Sequence, residues 1–80
     1  AQIQAHKSRM VRTKTHKFVF NQSDIGELYD LENDPHELHN LFGLEAHKAL
    51  QESLMQCMQD HMERVKDPML GEFRRVRFIY

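Results

Sequence analysis

From Leu44 to Lys66 the apolar residues recur at helical spacing, with Leu50, Leu54, Met58 and Val65 on one stripe and Met55 and Met62 beside it. A helix of that span runs roughly 35 Å at the α-helical rise, which is long for a chain of 80 residues. Asp67-Pro68 stops it, because proline has no N–H to continue the ladder, and Gly71 helps the chain turn. A chain of this size buries only a modest share of its unfolded surface, so its own core is marginal.

The N-terminal half carries strand signals. Arg9 to Thr13 and His16 to Asn21 are short runs of Val, Phe and Thr, with Thr13-Lys14-Thr15 as a tight link. Residues 21–26 form a polar loop with Gly26 near its end, and Glu27 to Leu31 is a third short strand. Asn33-Asp34-Pro35 then predicts a short helix over about 35–40. Asp34 is its N-cap, Pro35 its first helical residue, and Glu37 reaches back to the cap. Asn40-Leu41-Phe42-Gly43 breaks it before the long helix of about 44–66. Residues 73–80 alternate loosely and read as a last strand or an extended arm. The expected fold is therefore α+β, a small antiparallel sheet of three to four strands packed on a long C-terminal helix, in one unit over residues 1–80.

The strands carry apolar residues on both faces. Phe18 and Phe20 point one way and Val19 the other, and Leu28 points opposite to Tyr29 and Leu31. One helix covers one face of an antiparallel sheet, so the other face wants a partner.

Composition is ordinary for a globular chain, at 40% hydrophobic and 29% charged residues, which argues against disorder. No apolar run approaches the length of a membrane helix, and no secretory signal pattern is present. The first residue is Ala1 rather than Met, which suits a chain that was processed, cloned or cut from something longer. A lone Cys57 makes no internal disulfide and no four-ligand zinc pattern, so the redox compartment stays open. Charge is segregated. Residues 1–17 hold Lys7, Arg9, Arg12, Lys14 and Lys17 without an acid, residues 21–45 hold seven acids without Lys or Arg, and Arg74, Arg75 and Arg77 follow in the tail. Either these strands attract one another across the sheet, or the basic face meets an anion such as a substrate or a nucleic acid.

The stretches RMVRTKTHKFVF and GELYDLENDPHELHNL resemble the C-terminal subdomain of sulfatases, of arylsulfatase and choline-sulfatase type, in the alkaline-phosphatase-like superfamily. The matching positions are Arg9, Val11, Arg12, Thr13, Lys17, Phe18, Glu27 to Leu31, Asn33 to Pro35, Glu37, Asn40 and Leu41. The resemblance covers roughly residues 8–68. It implies a small sheet and C-terminal helix packed on a large α/β catalytic domain, which would supply the partner that the two-faced strands require. On this reading Arg12, Tyr29, Asp30, Asp34, Pro35 and Glu37 belong to the structural motif.

The resemblance also implies a parent that hydrolyses sulfuric esters with a formylglycine, made from a Cys or Ser in a Cys-x-Pro-Ser-Arg-like motif, beside a divalent metal, calcium or magnesium. This chain departs from that pattern: Cys57 lies in QCMQD, mid-helix, without Pro, Ser or Arg at the required spacing. A helical Cys among Met and Leu reads as a small core residue. No catalytic residue, metal ligand or cofactor is therefore expected in the chain itself. The parent's preference for sulfate, phosphonate or phosphodiester stays open.

Three groups remain as candidates near a substrate: Lys14, His16 and Lys17, whose cations would meet a sulfate or a sugar acid if the subdomain borders the cleft. The competing reading pairs Lys17 with Glu27 or Asp30 on the neighbouring strand. His36 and His39 sit three apart and begin a zinc pattern, but they read better as exposed histidines with no third ligand nearby in sequence. The Met stripe reads as core filler, and the basic–aromatic tail as an arm packing on a parent domain or a neighbouring subunit rather than a nucleic-acid site. Expected partners are thus a sulfatase catalytic domain or further copies of the chain, and neither nucleic acid nor membrane. The alternative function is a stand-alone anion-binding or self-associating module.

Overall fold

The computed structural model describes residues 2–5, 8–21 and 26–79, with side chains over 8–21 and 26–77. Four strands, β1 (Gln2–Ala5), β2 (Ser8–Arg12), β3 (His16–Asn21) and β4 (Glu27–Asp30), form one antiparallel sheet in the order β1-β2-β3-β4. A one-turn 3-10 helix at Glu45–His47 leads into α1 (Lys48–Val65), and α2 (Leu70–Ile79) follows. The class is α+β, as the sequence predicts. β1 is a fourth strand upstream of the first one expected, and most of the polar loop, residues 22–25, lies outside the described residues.

The β2–β3 turn is held locally. The Thr13 hydroxyl accepts the N–H groups of Thr15 and His16, and the Thr13 N–H reaches the His16 carbonyl at 2.9 Å. That turn sets the register, which places Val11, Phe18 and Leu28 side by side. All three are buried, with Phe20 beside them, under Leu54, Met55, Met58 and Met62 of α1. Each such side chain contributes roughly 1.5–3 kcal/mol when fully buried, so this one seam supplies most of the core. Leu50 is half-buried against it, whereas Val65, on the same predicted stripe, is exposed because the helix ends there.

Two glycines act through space and conformation. Gly26 is buried, and a Cβ there would lie 2.8 Å from the Phe42 ring, so its bareness lets Phe42 stack on Phe18 at 6.0 Å between centroids. Gly43 takes φ 82°, a left-handed value that suits glycine, and its N–H is received by the buried Gln51 side chain at 2.7 Å.

The outer edge of β4 is covered rather than left as a bare ladder. Leu41 donates its N–H to the Leu28 carbonyl, the Asn40 side-chain Oδ1 accepts the N–H of Leu28 and of Phe42, and the Asn40 side-chain Nδ2 donates to the Gly26 carbonyl. Asn40-Leu41 thereby acts as a short false strand, which blunts an edge that would otherwise recruit another chain.

Three expectations are corrected. The short helix over 35–40 does not form: residues 31–40 are turns and bends, and Glu37 sits at φ 57°. Asp34 does collect N–H groups, but those of Leu38 and His39, with the Glu37 N–H on its own carbonyl. The carboxylate therefore closes a compact turn instead of capping a helix, and Glu37 does not reach back to it. Residues 73–80 are not an extended arm, since Leu70–Ile79 is helix α2, with Phe73 buried edge-on against Phe20 at 5.0 Å. Gly71 accordingly lies inside that helix, and Tyr80 lies outside the described residues.

The turn between the helices explains why α2 forms. Lys66 takes φ 56°, its N–H bonds Glu63 and that of Asp67 bonds Met62, a Schellman closure of α1. Asp67 then caps α2: its carboxylate accepts the Met69 N–H at 2.9 Å, with Pro68 next in the chain. The same carboxylate is gripped from the sheet by Arg9, with Nε at 2.6 Å and Nη2 at 3.0 Å. Both side chains are nearly buried, at 9% and 7% exposure. One residue thus ends α1, starts α2 and clamps the helices to β2.

Candidate functional site

Strand alternation leaves a second sheet face opposite the helices. Its rows are set by register: Met10, Val19 and Glu27 in one, Arg12, Lys17 and Tyr29 in the next. Met10, Val19 and Tyr29 are only half-buried, so this face carries apolar surface that α1 and α2 do not cover.

Arg12 lies directly opposite Lys17, a like-charge pair that repels across the strands. The loop relieves it. Glu37, in its left-handed conformation, brings its carboxylate to Lys17 Nζ at 2.8 Å. The partner of Lys17 is therefore neither Glu27 nor Asp30. Glu27 is engaged by the Tyr29 hydroxyl at 2.7 Å and by the Asn21 amide at 2.8 Å. That bond to a carboxylate, with burial second, pushes the Tyr29 hydroxyl up to about 12. Asp30 is held below its ordinary value by the Asn33 side chain and the N–H groups of Asn33 and Glu32, and Asp34 by the N–H groups of Leu38 and His39.

The predicted site residues thus divide. Arg12, Lys17, Tyr29 and Glu37 meet on the open face, while Asp30, Asp34 and Pro35 build the loop that delivers Glu37. Lys14 is exposed at the hairpin tip, and the His16 ring shares a hydrogen bond with the Thr15 hydroxyl at 2.7 Å. Among the described residues, Lys14 and Arg12 make no ion pair. Of the basic residues in β2 and β3, Lys17 thus pairs through the loop, and Arg9 with Asp67 beyond α1, rather than from strand to strand.

Elsewhere, His36 and His39 are exposed, and among the described residues no three His, Cys, Asp or Glu side chains converge as a metal site. Cys57 is half-buried against the core. No helix among the described residues is long and apolar enough to cross a membrane. Sequence reasoning missed the Arg9–Asp67 clamp, although a signal existed: Arg9 shares its strand face with Val11, so it had to enter the core.

An antiparallel meander covered on one face by a helical hairpin, with half-buried apolar residues on its other face, defines a small α+β domain. The family follows from sequence comparison. The chain matches the model of the N-sulphoglucosamine sulphohydrolase C-terminal family over residues 1–64 and belongs to that family. It is 34% identical over 70 residues to an N-acetylglucosamine-6-O-sulfatase of Bacteroides thetaiotaomicron, covering 85% of this chain and 12% of that protein. An uncharacterized sulfatase of Escherichia coli, YidJ, is 34% identical over 56 residues, covering 70% of this chain and 11% of the relative. A Haemophilus influenzae protein of uncharacterized function is 40% identical over 63 residues, covering 79% and 32%. The chain therefore spans between a tenth and a third of the curated relatives it matches. Helix α2 lies beyond the matched family region.

Proposed function

We propose that this chain is the C-terminal accessory domain of a sulfatase, which braces a catalytic domain, borders its substrate cleft and does no chemistry alone. Membership of the sulfatase C-terminal family carries the reading. The residues present do not fit the family's reactive centre: Cys57 sits within α1, half-buried, followed by Met58, Gln59 and Asp60 rather than x-Pro-Ser-Arg. The formylglycine and the divalent metal would belong to the catalytic domain.

At the cleft this domain would offer point charges. Lys14, exposed at a tip made rigid by Thr13, is the group best placed to meet a sulfate or sugar acid, with His16 next to it. Lys17 serves differently, because its ammonium is held by Glu37 and fixes the loop. The test is kinetic, on the whole enzyme. Lys14→Ala should raise KM for a sulfated hexosamine several-fold and leave kcat nearly unchanged, as expected for a contact made equally in ground and transition states. Sulfate release by the isolated chain would overturn the reading, as would full activity of the enzyme without this segment. Arg12 and Lys14, which make no ion pair among the described residues, favour one second reading, an independent anion-binding module. Salt-dependent binding of the isolated chain to a sulfated polysaccharide, lost in Lys14→Ala, would select it.

A further inference from the structure

We infer that Thr13 positions Lys14 for the anionic group of the substrate, because its side chain closes the β2–β3 hairpin and fixes the backbone from which Lys14 extends into solvent. The inference rests on the reading above and names the residue through which Lys14 acts. The Thr13 hydroxyl accepts the N–H of Thr15 at 3.3 Å and that of His16 at 3.0 Å, and it donates to the His16 carbonyl at 3.3 Å. A hydroxyl has one donor and two acceptor sites, so all of them are used within one turn. The Thr13 N–H adds a bond to the same His16 carbonyl at 2.9 Å. These bonds straddle Lys14, tying the residue before it to the two after it. From the other side the Thr15 carbonyl receives the Leu31 N–H at 2.8 Å, which fastens the tip to the end of β4. Threonine suits the place better than serine, because its branched β-carbon restricts the rotation that would swing the hydroxyl out of the turn.

Charge at this end of the sheet singles out Lys14. His16 lies opposite Asp30 in the register, and its ring shares a hydrogen bond with the Thr15 hydroxyl at 2.7 Å. Lys17 is held by Glu37 at 2.8 Å. Lys14 is exposed and makes no ion pair among the described residues. An incoming sulfate or carboxylate therefore meets its ammonium without first displacing a carboxylate of this chain. The strength of such a contact depends on where the backbone holds the stem of the side chain. A tip that is already ordered lowers the entropy lost on binding, and the gain appears in KM. Thr13 is thus a positioning residue, which touches no ligand itself.

The test uses the full-length enzyme, with glucosamine 6-sulfate as the sulfated hexosamine, in Thr13→Val, Thr13→Ser, Lys14→Ala and the double variant of Thr13→Val with Lys14→Ala. Thr13→Val keeps the shape of the side chain and removes the hydroxyl. It should raise KM about threefold, less than Lys14→Ala does, with kcat nearly unchanged. Thr13→Ser, which keeps the hydroxyl, should stay close to the unmodified enzyme. In the Lys14→Ala background Thr13→Val should raise KM no further, because the group it positions is gone. Thermal melting separates positioning from stability. Any drop in melting temperature from Thr13→Val should be equal in both backgrounds, whereas its KM effect should vanish in one. Should Thr13→Val fail to fold, Thr13→Ala removes the same hydroxyl and carries the same expectations. A KM raised by Lys14→Ala but not by Thr13→Val, or raised equally by Thr13→Val in both backgrounds, would overturn the inference and leave Lys14 at the cleft. A KM unmoved by Lys14→Ala, or an unmodified enzyme that leaves this sugar intact, would overturn the reading on which the inference rests.

Discussion

Replacing Asp67 by alanine should remove more stability than any other single change outside the apolar core. Its carboxylate receives two bonds from Arg9 and one from the Met69 N–H. Deleting one member of a buried pair leaves the other charge uncompensated, at a cost of about 3–5 kcal/mol. Loss of the α2 cap adds about 1 kcal/mol. A domain of this length holds about 4–12 kcal/mol in total, so Asp67→Ala should lie at the edge of folding. Urea denaturation followed by circular dichroism measures the loss. Arg9→Met with Asp67→Leu should recover most of it, because a matched apolar pair removes both charges and leaves only the cap missing. A loss under about 1 kcal/mol for Asp67→Ala, or a double variant as weak as the single, would refute the clamp. The sign with pH is fixed. Arg9 bonding depresses Asp67 in the fold, so its contribution is present above the ordinary carboxylate value and is lost as pH falls through the lower folded value. Asp67→Asn should flatten that acid limb.

Gly26→Ala pushes a methyl group into the Phe42 ring and should cost roughly 1–3 kcal/mol in the same assay, with the Phe18–Phe42 stack disturbed. Lys66→Gly relieves a left-handed non-glycine residue at the close of α1 and should raise stability by about 0.5–1 kcal/mol. An unchanged or lower melting temperature would contradict that. Tyr29 should ionise near pH 12, read as phenolate absorbance in Tyr80→Phe so that a single tyrosine reports. Glu27→Gln should lower that value. Because the folded value is raised, the Tyr29 contribution to stability is present below the ordinary tyrosine value and fades as pH climbs toward the folded one.

The sheet and the long helix were legible because their signals are local. Val and Phe alternate through β2 and β3, and the Met and Leu stripe keeps one period until Asp67-Pro68 ends it. Two elements were misread for identifiable reasons. Asn-Asp-Pro-x-Glu has the spacing of a capping box, but its aspartate collects N–H groups four and five residues on, and Lys17, distant in sequence, competes for the glutamate. In residues 73–79 the arginines and apolar residues fit either a strand or a helix. Contact of Phe73 with Phe20, together with Arg74 to Glu63 and Arg77 to Glu52, selects the helix. Long-range pairing also hid the candidate site's organisation: that Lys17 pairs with the loop, while Arg12 and Lys14 make no ion pair among the described residues, follows from the φ of Glu37 and not from spacing. Strand alternation puts Arg9 in the core beside Val11, but its partner Asp67, 58 residues away, lies beyond any local pattern.

The most direct test is to read the coding sequence upstream of Ala1. An accessory domain of a sulfatase requires a Cys- or Ser-x-Pro-Ser-Arg motif in the same frame, within a catalytic domain several times the length of this chain. A frame that opens at this chain, with no such motif joined to it, would contradict the assignment and leave an independent anion-binding or self-associating module.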